Sequence, residues 1–253
     1  MRDLEIHPDA SSLYQAAARH VVEIARRSVA EHGAFFVALA GGSTPRELYL
    51  LLAEAPWRSM APWDRTQVFF GDERCVAPDH PESNYRMARE ALLDKLALPA
   101  THIHRMLGEL EPNAAASAYQ EEIRRAFAID AEQAPGFDLI LLGLGPDGHT
   151  ASLFPDSAAL REDRKWVVAN YVAKLDSFRL TLTLPALNHA REVMFLVSGG
   201  SKAEVVHHIF ETPERHFKYP AELVQPKLGR LRWLLDRAAA SRLQPHTTSP
   251  SKG

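Results

Sequence analysis

Asp147 and His149 stand two residues apart in Gly143-Leu144-Gly145-Pro146-Asp147-Gly148-His149-Thr150, a glycine loop that follows directly on the apolar run 137–142. An imidazole titrates near neutrality, so it can take a proton from water and return it to a leaving oxygen, while a nearby carboxylate orients it or selects its tautomer. The spacing predicts general-base chemistry by His149 with Asp147 in support. A histidine satisfied by backbone is the commoner role for this residue type. The strand-tip position, where ligands of open α/β sheets collect, favours the catalytic one.

Two phosphate loops are near matches here, and both fail on context. Gly143-x-Gly145-x-x-Gly148 has the spacing of a dinucleotide fingerprint, which requires a long helix at its third glycine and an acid closing the next strand. Pro155 comes too soon for that helix, and the next apolar run, 166–172, ends without an acid. Gly143-x-x-x-x-Gly148-His149-Thr150 approaches a P-loop, but a histidine stands where a lysine must reach the terminal phosphates. Ser152 lies in no Gly-x-Ser-x-Gly elbow and is read as continuing a helical turn. Cys75 has no adjacent histidine and is read as a small core residue. The pairs His102/His104 and His207/His208 supply no recognised metal-ligand set.

Further chemistry gathers at other strand tips. The run 34–40 exits into Gly41-Gly42-Ser43-Thr44-Pro45-Arg46-Glu47, where Thr44 and Glu47 form a capping-box pattern and Pro45 suits the first helical position. Paired glycines and paired hydroxyls at a helix N-terminus make an anion site, read here as one for phosphate. The run 66–70 ends in Gly71-Asp72-Glu73-Arg74, which requires at least one of the two acids to face the crevice, with Arg74 free to pair with them or to grip an anion. Ser83 is placed as a helix cap, and Asn84 either contacts ligand or supports the turn. Arg179, introducing an alternating strand, and Lys202, after the turn Ser198-Gly199-Gly200-Ser201, are the remaining cations that could neutralise a bound phosphate.

These loops need a scaffold, and the pattern supplies one. Apolar runs at 34–40, 66–70, 137–142, 166–172, 180–184 and 193–197 alternate with helical periodicity at 11–32, 45–54, 83–96, 114–128, 202–210 and 231–240. The alternation predicts an α/β fold with a largely parallel sheet flanked by helices, in a single domain spanning 1–243, with 244–253 a polar, proline-bearing disordered tail. With 46% hydrophobic and 24% charged residues the chain has ample core. Its single cysteine, absence of an apolar signal core and lack of any run near the roughly 20 residues of a membrane span lead us to expect a cytoplasmic protein that engages no membrane. A formal charge of -3 and no basic stripe argue against nucleic acid. The expected assembly is a monomer or weak homo-oligomer.

Together, Leu39-Ala40-Gly41-Gly42-Ser43-Thr44-Pro45, Phe70-Gly71-Asp72-Glu73-Arg74, the loop 143–155 and Arg179-Leu180-Thr181-Leu182-Thr183 resemble the 6-phosphogluconolactonase family across nearly the whole domain. Trp233-Leu234-Leu235-Asp236 is similar to that family's C-terminal helix. The resemblance implies a Rossmann-like domain shared with glucosamine-6-phosphate deaminase, no metal or organic cofactor, and hydrolysis of 6-phospho-D-glucono-1,5-lactone in the oxidative pentose phosphate pathway. Carried over, it makes His149 the base and Asp147 its support. Asp72, Glu73, Asn84 and Gly148 then line the sugar pocket, while Gly42, Ser43, Thr44, Arg74, Arg179 and Lys202 hold phosphate or the developing oxyanion. Two stretches depart from the family: the link 173–178 lacks the prolines many relatives carry, and 211–219 has no assigned contribution. A deaminase loop normally continues Asp-Gly-His-Ile-Ala-Phe-Asn-Glu-Pro, whereas here Thr150-Ala151-Ser152-Leu153-Phe154-Pro155 carries no glutamate for ring chemistry, so hydrolysis is preferred. A sugar-phosphate-binding regulator is the reading from another class, and the intact Asp147 and His149 argue against it.

Overall fold

Six parallel strands carry the fold in the order β1-β9-β8-β5-β2-β3 in the computed structural model, which describes residues 2–96, 98–130, 133–212 and 218–244. In chain order the elements are β1 (Arg2–His7), α1 (Ala10–His32), β2 (Phe35–Leu39), α2 (Ser43–Leu52), α3 (Trp57–Met60), β3 (Thr66–Phe70), β4 (Asp72–Arg74), α4 (Asn84–Ala91), α5 (Pro112–Phe127), β5 (Leu139–Leu142), β6 (Val167–Val172), β7 (Ser177–Leu182), α6 (Leu184–Leu187), β8 (Glu192–Val197), α7 (Ala203–Glu211) and β9 (Arg230–Asp236).

Both faces of the sheet are covered, which is why β2 and β5 at its centre are apolar at every position. Along β8, Val193, Phe195 and Val197 join the core under α5 and α7, while Met194 and Leu196 join the core under α1, α2 and α4. The pleat assigns alternate residues to the two layers. Asp9 caps α1 by accepting from the Ser12 amide at 2.7 Å, and Gly33 ends it with φ +85°. No helix among the described residues is long and apolar enough to cross a membrane.

Three expectations are corrected. The segment 231–240 is not a helix: residues 230–236 form β9, parallel to β8 on one side and β1 on the other, followed by turns. Its Leu231, Trp233 and Leu235 enter one core and Leu234 the other, so a strand apolar on both faces imitates the density of a helical stripe. The likeness of Trp233-Leu234-Leu235-Asp236 to a family helix falls with it. Runs 166–172 and 180–184 do not enter the parallel sheet; β6 and β7 pair antiparallel with each other and β7 with β4, in a separate three-stranded sheet. The helix expected over 83–96 ends at Ala91 and continues only as a 3-10 turn, Leu93–Lys95.

This topology opens the site. The chain leaves β2 towards β3 at one edge, but leaves β5 towards β8 on the other side. Adjacent parallel strands whose connections diverge create a crevice at their C-terminal ends, and here the Gly41-Gly42 and Gly143–His149 loops flank it.

Candidate active site

The crevice holds a cavity of about 230 Å³ walled by the loops after β2, β3, β5 and β8. Of the sequence-predicted residues, Gly42, Ser43, Thr44, Asp72, Arg74, Asn84, His149 and Lys202 line it. Asp147, Gly148, Glu73 and Arg179 are not in its wall. Asp147 lies behind His149, and the other three have different surroundings.

Helix α2 begins at Ser43, earlier than expected, and Gly42 precedes it with φ +101°, a region that favours glycine. No side chain caps this end, so the predicted capping box does not form: Pro45 is the third helical residue, and Glu47 accepts instead from Arg46 at 2.9 Å. The first-turn amides are thereby left without a side-chain acceptor at the positive end of the helix dipole, facing the cavity. The strand tip before them is fixed by Tyr49, whose hydroxyl accepts from the Ala40 amide and donates to its carbonyl, each at 2.8 Å.

Glu73 turns away from the cavity to the start of α4. Its carboxylate accepts from Ser83 Oγ at 3.0 Å and from the amides of Asn84 at 2.7 Å, Tyr85 at 2.8 Å and Arg74 at 2.8 Å. Burial pushes its carboxyl pKa up against these bonds. Ser83 caps α4 as predicted, accepting from the Arg86 amide at 3.1 Å. Asn84 both supports and lines: Nδ2 donates to the Asp72 carbonyl at 2.9 Å and to Oδ1 at 3.3 Å. Ser152 donates to Asp72 Oδ2 at 2.7 Å, so the Asp72 carboxylate is aimed from both sides. Ser152 belongs to no helix; Thr150 and Leu153 bridge around it in a tight turn. This partnership spans 80 positions and has no local sequence signal.

His149 Nδ1 lies 2.5 Å from Asp147 Oδ1, and its ring stacks on Phe154 at 4.2 Å. Burial pushes the Asp147 carboxyl up, but hydrogen bonds from Lys174 and His149 outweigh it and hold the group at about 2. An ionised carboxylate only accepts, so Nδ1 carries the hydrogen and, in the neutral imidazole, Nε2 keeps its lone pair. Gly145 makes room for this arrangement, since a Cβ there falls 2.0 Å from Nδ1. Lys174, from the link 173–178, meets Asp147 Oδ2 and was missed by sequence reasoning.

Arg179 stands directly opposite Arg74 in the β4–β7 register, and burial followed by the Arg74 charge lowers its pKa. Two cations side by side, neither ion-paired to a carboxylate among the described residues, concentrate positive potential beside the cavity. Arg74 does donate to the Glu82 carbonyl. Burial likewise lowers the Lys202 pKa, opposed by the charge of Asp147. Lys202 closes a 3-10 turn, Gly200–Lys202, whose approach is held by Asp236 accepting from Ser198 Oγ at 2.5 Å and from the Gly199 amide.

The other flagged residues have structural surroundings. Gly148 has φ +75°, and a Cβ there meets the Tyr219 ring at 2.2 Å. Its carbonyl accepts from the Ala221 amide at 3.1 Å. Burial raises the Cys75 thiol pKa, the direction opposite to nucleophile activation. His104 bridges Glu122 at 2.7 Å and Gln67 at 2.8 Å, and His207 pairs with Glu211 at 2.9 Å. Among the described residues no group of three His, Cys, Asp or Glu is arranged to hold a metal ion. Of the segment 211–219, residues 213–217 lie outside the described residues, as does 245–253 of the predicted tail.

A family model described as glucosamine-6-phosphate isomerases/6-phosphogluconolactonase matches residues 8–233. A 6-phosphogluconolactonase of Synechocystis sp. is 46% identical over 221 residues, which is 87% of this chain and 89% of that protein. One of Nostoc sp. is 39% identical over 245 residues, 96% of this chain and 98% of the relative. The solved 6-phosphogluconolactonase from Trypanosoma cruzi superposes with a TM-score of 0.84 at 31% identity, covering 96% of this chain and 97% of that one.

Proposed function

The chain belongs to the family of glucosamine-6-phosphate isomerases and 6-phosphogluconolactonases, and we propose that it hydrolyses 6-phospho-D-glucono-1,5-lactone to 6-phosphogluconate by general-base activation of water at His149. The observation that carries this reading is the contact of His149 Nδ1 with Asp147 Oδ1: an ionised carboxylate accepts there, which leaves Nε2 as the proton acceptor of a residue that lines the cavity. Water attacks the lactone carbonyl as Nε2 takes its proton, giving a tetrahedral oxyanion. Collapse breaks the bond to the ring oxygen, which takes the proton back from Nε2 and leaves as the hydroxyl of the open acid. The uncapped start of α2 at Gly42, Ser43 and Thr44, with Lys202 and Arg74, supplies the phosphate grip, and Arg179 adds field behind Arg74. Asp72 and Asn84 are assigned to sugar hydroxyls.

The reaction belongs to the oxidative pentose phosphate pathway, on a domain spanning 1–243, and the single cysteine fits the reducing cytoplasm. The test is the rate of hydrolysis of freshly generated 6-phosphogluconolactone above its spontaneous rate, measured beside unphosphorylated gluconolactone. We expect kcat/KM to fall at least a hundredfold without the phosphate. Equal rates on the two lactones contradict the phosphate assignment, and ammonia release from glucosamine 6-phosphate without lactone hydrolysis contradicts the reaction.

A further inference from the structure

Lys174 lies in the 3-10 turn Ala173–Leu175 that joins β6 to β7, and the chemistry assigned to His149 makes no use of it. Its ammonium meets Asp147 Oδ2, while Asp147 Oδ1 meets His149 Nδ1. The same ammonium lies 4.5 Å from the centroid of the Phe154 ring, and that ring stacks on His149. Lys174 therefore touches both groups that fix the imidazole: the carboxylate at its Nδ1 and the aromatic ring against its face. It does not line the substrate cavity. Asp147, Phe154 and Lys174 line a second cavity, of about 500 Å³.

We propose that Lys174 is a positioning residue for His149, holding one oxygen of Asp147 so that the other addresses Nδ1, and disfavouring the imidazolium through its own positive charge. The inference rests on the reading of His149 as the base. A half-exposed ion pair contributes little to stability, so structural duty alone is a weak reason for this contact. The charged groups around the imidazole are Asp147 on its own loop, Lys174 from the hairpin, Lys202 from the turn before α7, Asp156 beside the outer cavity, and Asp72 and Arg74 on β4 at the substrate cavity. Lys174 is the one lysine or arginine among the described residues paired with Asp147.

Removing the ammonium leaves Asp147 to stabilise the imidazolium alone, so the proton-accepting form of His149 is lost at higher pH. In the full-length protein, Lys174→Met should move the acid limb of the kcat/KM profile for 6-phosphogluconolactone upward by about one pH unit. It should also lower kcat near neutrality about tenfold while KM changes less than about twofold, since Lys174 is outside the substrate cavity. Lys174→Gln should behave alike, and Lys174→Arg should restore the limb. A purely structural role lowers the melting temperature without moving the limb. A wild-type limb in both the Met and Gln variants overturns the inference, and if the Met variant does not fold, the Gln and Arg variants decide. Turnover retained in His149→Ala overturns the base reading itself; loss of turnover there beside an unmoved Lys174 profile overturns this inference alone.

Discussion

A carboxylate held at about 2 and a glycine whose Cβ would fall 2.0 Å from the ring nitrogen together define what the imidazole of His149 can do. The first sets the tautomer and the second sets the ring's place. Gly145 has no positive φ, so its need for glycine is one of space rather than backbone strain. Gly145→Ala should therefore leave the fold intact and push the ring off Asp147. We expect at least a tenfold loss of kcat with product affinity within about threefold of wild type, measured by steady-state kinetics and calorimetry. A variant that loses product affinity and keeps kcat contradicts this placement of the ring. His149 and Asp147 were legible in the sequence because both lie in one short loop at a strand tip. Lys174 and Ser152 were not, because each meets its partner across the fold, 27 and 80 positions away in the chain.

Among the elements, those whose two periodicities differ were the legible ones. Amphipathic α1 and α5 show one apolar stripe each, and β2, β3, β5 and β8 are short apolar runs ended by glycine or polar residues. Strand β9 was misread because burial on both faces erases the alternation that marks a strand, and Arg232 within it is buried against Glu5 and Glu192 rather than pointing to solvent. The small sheet escaped notice for another reason: which strands pair is decided by long-range contact, and the Arg74–Arg179 register follows only from that pairing. The capping box at Thr44 failed on two residues of phase, because the cap position falls at Gly42. Starting α2 at Ser43 after a glycine with positive φ leaves its amides open to the cavity, which a side-chain cap would have occupied. Glu73, expected in the sugar pocket, instead satisfies the amides that start α4, so the same loop divides its two acids between ligand and scaffold.

Across the whole molecule, the edge of the sheet opposite β3 is tied by charge. Glu5 on β1 accepts from Arg232 on β9 at 2.5 Å and pairs with His20 on α1 at 3.1 Å. The His20 hydrogen bond, working against burial and aided by Arg232, lowers its carboxyl from 4.5 to about 2. Asp147 is lowered from 3.8 to about 2 as well. A carboxyl whose folded value is depressed stabilises the fold above its unfolded value, and that contribution is lost as pH falls through the folded one. The melting temperature should accordingly drop as pH is lowered from about 4.5 to about 2. Glu5→Gln should flatten that dependence in thermal denaturation at a series of pH values; an identical slope in the variant contradicts the assignment of Glu5.

All three scales meet in one comparison, the catalysed hydrolysis of 6-phosphogluconolactone by wild type and His149→Ala, with binding of 6-phosphogluconate to each measured by calorimetry. The base follows β5, whereas the phosphate grip is built from the start of α2 after β2, Arg74 on β4 and Lys202 after β8, so they should separate. The account predicts a loss of kcat of about 10²- to 10⁴-fold in the variant, with product affinity nearly unchanged. Wild-type turnover by His149→Ala contradicts it.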